Sequence, residues 1–147
     1  MIFNASVRWR TILAVALAVS SPWGVAQDAA GFGRTASCVA AMKTKAAVFS
    51  ERYRAGDDTV KAQLTSLTEA GYAFIGSAYE AGLRKADADR LLSAAEEAQK
   101  NMPAAELENL TAACHAQGTN LLAQANAAER VVVKAAARAR INRIRNP

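Results

Sequence analysis

LENLTAACHAQGTNLLAQANAAERVVVKAAARA, Leu107 to Ala139, is the longest patterned stretch of the chain, and its reading decides the fold class. Apolar or small residues recur at Leu107, Leu110, Cys114, Gly118, Leu121, Ala125, Ala128, Val132, Ala135 and Ala139. Steps of three and four keep such residues on one face of an α-helix. The stripe passes through Gly118 without losing phase. The spacing therefore predicts one continuous helix of about 40 residues, opened by Pro103, which a first helical turn tolerates.

Three shorter helices are read upstream. The first is expected from Ser37 to about Ala55, with Val39, Met42, Ala46, Phe49 and Tyr53 at helical spacing and Gly56 as its stop. Asp57 and Asp58 open the second, and Asp57 is placed to pair with Lys61. Its stripe is Val60, Leu64, Leu67, Gly71, Phe74 and Ala78, continuing to about Lys85. The third is short, capped by Asp87 and carried by Leu91, Leu92 and Ala95 to about Asn101. Residues 27–36 (QDAAGFGRTA), with two glycines and no periodicity, are expected as a flexible N-terminal arm. The fold class is thus all-α: an antiparallel four-helix bundle-like domain over 37–147 with a long basic C-terminal helix.

Ahead of the arm, Arg8 and Arg10 precede the apolar run TILAVALAV, Thr11 to Val19, followed by small residues at Gly24 and Ala26. This is the pattern of a secretory signal peptide over residues 1–26, with cleavage expected after Ala26. The run falls short of the ~20 apolar residues that span a bilayer, so no transmembrane segment is expected after cleavage. The localisation implied is periplasmic or secreted.

The remaining 121 residues form one domain by length. Alanine supplies 31 of them, while Val, Ile, Leu, Met, Phe and Tyr together supply 26, so helix propensity is high and the core lean. Such a chain gains from a covalent staple. Cys38 and Cys114 provide it in an oxidising compartment. Summing helix rises in an up-down arrangement brings the two cysteines level, and the chain-entropy argument values closure of so long a loop at roughly 4.5 kcal/mol.

The chemistry-bearing residues are few. Cys114 adjoins His115, the only histidine, but covalent haem attachment needs C-x-x-C-H and the first cysteine position here is Thr111. Two cysteines and one histidine also fall short of a four-ligand zinc site. His115 is read as an exposed neighbour of the core stripe. No G-x-S-x-G or H-E-x-x-H occurs, and the carboxylates lie mostly on polar faces, so neither a catalytic residue nor a cofactor is expected.

Two features remain as candidate binding surfaces. GYAFIGSAYEAG, Gly71 to Gly82, places Tyr72, Gly76 and Tyr79 on one strip, a candidate groove for an apolar ligand or peptide. Three glycines in a helix cost about 1 kcal/mol each relative to alanine, and close packing of a neighbouring helix is the simpler compensation. The second feature is charge. Residues 27–129 hold 10 Lys/Arg against 13 Asp/Glu, whereas residues 130–147 hold six basic residues and no acid. Lys134, Arg138, Arg140, Arg143 and Arg145 flank a narrow apolar strip of Val133, Ala137, Ile141 and Ile144. Such a tail is expected to fold back on the acidic body, to pair with a second copy as a homo-oligomer, or to meet an anionic partner. That partner is another protein or an anionic envelope surface. Nucleic acid is disfavoured, because no aromatic residue interleaves the basic ones for base stacking.

The function expected is that of a non-enzymatic exported interaction protein, chaperone-, inhibitor- or immunity-like in kind. The alternative is a small-ligand or haem-binding helical bundle.

Overall fold

The structure is a computed structural model that describes residues 23–145, with side-chain environments from residue 31 onward. Most of the expected signal peptide therefore lies outside the described residues. Five α-helices are present among them: α1 (Trp23–Arg54), α2 (Lys61–Glu80), α3 (Lys85–Gln99), α4 (Ala104–Gln124) and α5 (Ala127–Arg145). A short 3-10 turn, Asp58–Val60, leads into α2. The all-α, antiparallel bundle-like architecture with one disulfide is the one the sequence implied.

Helix ends follow local chemistry. Gly56 and Gly82 both adopt positive φ (98° and 99°), the left-handed conformation that glycine takes without penalty. The Asp57 amide then donates to Arg52 O and the Gly56 amide to Tyr53 O, while Leu83 donates to Ala78 O and Gly82 to Tyr79 O. Each set closes a Schellman cap that satisfies the last carbonyls of its helix. The second of these ends α2 at Glu80, short of the Lys85 expected. Asp57 does not pair with Lys61. Its carboxylate accepts the Thr59 amide and an ion pair from Arg52 at 2.5 Å. Hydrogen bonds from the Thr59 hydroxyl first and then from Arg52 hold the Asp57 carboxyl below the usual aspartate range. Asp87 likewise lies inside the first turn of α3, paired with Arg90, rather than capping it.

Three helices make the central packing. α1 runs antiparallel to α4, as the ion pair Lys45–Glu108 (2.9 Å) and the Cys38–Cys114 disulfide show, and to α2, with Cys38 clustered with Phe74 and Tyr53 with Leu64. The cysteine Cα atoms lie 5.2 Å apart across a sequence separation of 76. The bridge sits inside a core of Cys38, Met42, Leu67, Ala70, Phe74 and Cys114. α3 crosses α1, tied by Gln99 Nε2 donating to Ser37 O (2.8 Å) and by Lys43–Glu96 (2.5 Å). The expected flexible arm is part of α1 instead. Phe32, Thr35 and Ala36 line one hollow with Leu83 and with Leu91 and Leu92 of α3, and the two glycines do not interrupt the helix.

The expected single long C-terminal helix is two helices. The break lies at Ala125–Asn126, not at Gly118, and its cause is a reciprocal cap. The Glu129 amide donates to Asn126 Oδ1 (3.0 Å) while the Asn126 amide donates to Glu129 Oε2 (2.9 Å). This capping box starts a new helix at the residue that would otherwise continue the old one. Arg130 closes the other side of the elbow by donating to Ala125 O at 2.5 Å. α5 then returns antiparallel along α2 and reaches α1. Ile141 completes a second core with Tyr53, Val60 and Leu64, flanked by Ala46, Phe49 and Ile144. The tail folds back on the body, one of the arrangements expected of it.

Gly118 is where α4 and α2 approach most closely. A Cβ there would meet Ala70 Cβ and O at 2.8 Å, whereas Cβ atoms on Gly71 and Gly76 would meet nothing within 4 Å. The close-packing role expected of Gly71 belongs to Gly118.

Candidate functional site

The basic residues of α5 divide into three kinds once the helix is seated. Ala137 and Ile141 are almost fully buried, which fixes the rotation of the helix. Arg145 is taken up by the body: its Nη1 lies 2.6 Å from Asp58 Oδ1, and its guanidinium stacks 4.7 Å from the Tyr53 ring centre. The Asp58 hydrogen bond raises the Arg145 pKa, so the contact favours the charged form. Arg145 is accordingly an anchor and not part of an open binding face.

Arg140 lies at the edge of the packed strip and lines a groove with Gly71, Tyr72 and Thr68 of α2. Lys134, Arg138 and Arg143 are exposed and carry no ion pair among the described residues. Between them the solvent side of α5 presents Ala135, Ala139 and Asn142, all exposed. The exposed surface of α5 therefore carries three open cations: Arg138 and Arg143 border the small residues Ala135, Ala139 and Asn142, while Lys134, half a turn round from Arg143, lies on the flank nearer Ile141.

The expected groove at Tyr72, Gly76 and Tyr79 does not form as one site. Tyr79 lines a hollow with Phe32, Val39, Ile75, Leu83 and Leu92, and Tyr72 lines an adjoining one with Val39, Met42, Ile75 and Leu92. Gly76 faces the adjoining side of α2. There it floors a notch of about 510 Å³ beneath the α4–α5 elbow, walled by Leu121, Leu122, Ala125 and Val132. The reason is helical rotation. Residues 72, 75 and 79 share one face, and 73, 76 and 80 the next. Beside the notch Val131 and Val132 are 67% and 66% exposed, the most open large apolar side chains described.

His115 is not a free surface residue. It is half-buried, and its Nε2 lies 2.7 Å from Ser66 Oγ, linking α4 to α2. A serine–histidine pair in hydrogen-bond reach is the start of a nucleophile–base arrangement. Among the described residues no carboxylate bonds the ring's other nitrogen, and the pair lies at mid-helix, where backbone amides are already engaged. Its clear effect is to fix the register of α4 on α2. Both cysteines are in the disulfide, so neither thiol is free for a thioether bond. No group of three His, Cys, Asp or Glu side chains that could hold a metal ion occurs among the described residues. No described helix is long and apolar enough to cross a membrane.

Sequence reasoning missed the elbow, and N-A-A-E at 126–129 was the signal that could have found it. It also missed the tether from Arg145 to Asp58, for which sequence offers no signal across 87 positions. Comparison with protein-family models, with curated proteins and with solved structures found no match to this chain.

Proposed function

We propose that this protein is a non-enzymatic, exported interaction protein, periplasmic or secreted, whose outer face of α5 binds an anionic partner. The partner is another protein or the anionic surface of the cell envelope. A chaperone-, inhibitor- or immunity-like role is the kind of work such a surface serves. Export is supported by the signal-like N-terminus and by the disulfide, which persists in oxidising compartments.

One observation carries the reading. The body holds an excess of acidic residues, yet of the α5 cations only Arg145 makes an ion pair with it among the described residues. Lys134, Arg138 and Arg143 remain exposed while Ala137 and Ile141 are buried against the body. Charge used only to hold the tail down would face inward.

The test is cosedimentation of the mature chain with the envelope fraction of its own host. Wild-type protein is expected in the pellet, and the variant carrying Lys134→Gln, Arg138→Gln and Arg143→Gln in the supernatant. Equal retention of the two would refute the reading.

A further inference from the structure

The two hollows on the α1–α2–α3 side lie end to end, with Val39, Ile75 and Leu92 contributing to both. One measures about 140 Å³ and the other about 250 Å³. Together they follow α2 from Thr68 to Tyr79, about 16 Å at 1.5 Å per residue. The walls are apolar along this length: Phe32, Val39, Met42, Ile75, Leu83 and Leu92. An apolar depression of this length fits a single extended hydrocarbon chain better than a compact ring system.

Among the described residues, charge without an ion pair stands at one end only. Arg140 stands at the Tyr72 end and makes no ion pair among the described residues. Lys43 is nearby but is paired to Glu96 at 2.5 Å. At the opposite end the one carboxylate, Asp89, is neutralised by Lys85 at 2.6 Å. An apolar slot with a single open guanidinium at one end complements a single-chain amphiphile with an anionic head.

A second observation is Gly71. A glycine inside a helix costs about 1 kcal/mol relative to alanine. No neighbour requires its absence of side chain, since a Cβ there would meet nothing within 4 Å. The space that it leaves opens into the slot beside Arg140.

We propose that this slot binds a long-chain fatty carboxylate, its tail along Ile75 and Leu92 toward Phe32 and its carboxylate on Arg140. The site is separate from the outer face of α5, which uses Lys134, Arg138 and Arg143.

Calorimetric titration of the mature, disulfide-intact chain with dodecanoate, below its micellar concentration, tests the proposal. Saturable one-to-one binding is expected. Arg140→Gln should weaken dodecanoate about three- to fivefold while leaving dodecanol unchanged, as loss of one exposed charge-assisted contact would. Gly71→Leu should fill the slot and remove binding of both. The combined Lys134→Gln, Arg138→Gln and Arg143→Gln variant should bind dodecanoate like wild type, so failure here and failure of the α5 surface are distinguishable. Absence of saturable binding by wild type would overturn the proposal. So would an equal loss for acid and alcohol in Arg140→Gln.

Discussion

Gly118 of α4 lies against Ala70 of α2 so closely that a methyl group on it would stand 2.8 Å from both the Ala70 Cβ and its carbonyl oxygen. The contact sets the distance between two helices that the disulfide and the His115–Ser66 hydrogen bond already hold in register. Gly118→Ala should therefore destabilise the fold by about 1–3 kcal/mol, the usual cost of overpacking. Gly76→Ala should act in the opposite direction, raising stability by up to ~1 kcal/mol, because its Cβ enters open space and helix propensity improves. Urea unfolding of the two variants measures both signs, and a Gly118→Ala protein as stable as wild type would contradict the packing argument.

The elbow between α4 and α5 rests on two side chains. Asn126→Ala removes the oxygen that receives the Glu129 amide and should cost about 1 kcal/mol. Hydrogen exchange locates the effect: amides of α5 should lose protection while those of α4 keep theirs. Uniform loss across the chain would mean that the cap is not local.

Much of the fold was legible in the sequence because its signals are local or periodic. The stripe from Val60 to Phe74, the glycine stop at Gly56 and the level placement of Cys38 and Cys114 all follow from helix geometry. The break at Asn126 was overlooked because the alanine-rich stripe keeps its phase across it, and small residues tolerate either a straight or a folded chain. The rotation of α5, and with it the separation of Arg140 from Arg143, depends on where Ile141 meets Tyr53, Val60 and Leu64. That is a tertiary contact between residues far apart in the chain, and no spacing rule reports it. The tyrosine strip failed for a local reason: Gly76 lies on the face next to that of Tyr72 and Tyr79, and the helices packed on α2 give each face its own hollow.

Ile141 carries the return of α5. It is 2% exposed, packed in a core with Tyr53, Val60 and Leu64. Ile141→Ala should cost roughly 2–5 kcal/mol, as deletion of buried aliphatic carbon commonly does. Removing residues 138–147 should be at least as damaging, because it takes Ile141 out of that core. Thermal melting followed by circular dichroism measures both. An unchanged midpoint for the truncated chain would show that α5 is dispensable to the fold.

The disulfide is embedded in the larger core, beside Met42, Phe74 and Leu67. Thiol titration of unfolded, unreduced protein should find no free thiol. Reduction should lower stability by about 2–4 kcal/mol, since the bridge restrains a long segment of the unfolded chain. Identical urea midpoints with and without reductant would remove the bridge from the account of stability.

The outer face of α5 is the centre of the functional reading, and the salt dependence of envelope binding tests it most directly. Exposed charges are screened over about 10 Å at 0.1 M salt and about 3 Å at 1 M. Cosedimentation of the mature chain across that range should show retention falling steeply as salt rises. The Lys134→Gln, Arg138→Gln and Arg143→Gln variant should show weak retention at every concentration, with an unchanged melting temperature. Strong retention of wild type that ignores salt, matched by the variant, would contradict the electrostatic account and move attention to Val131 and Val132 at the elbow.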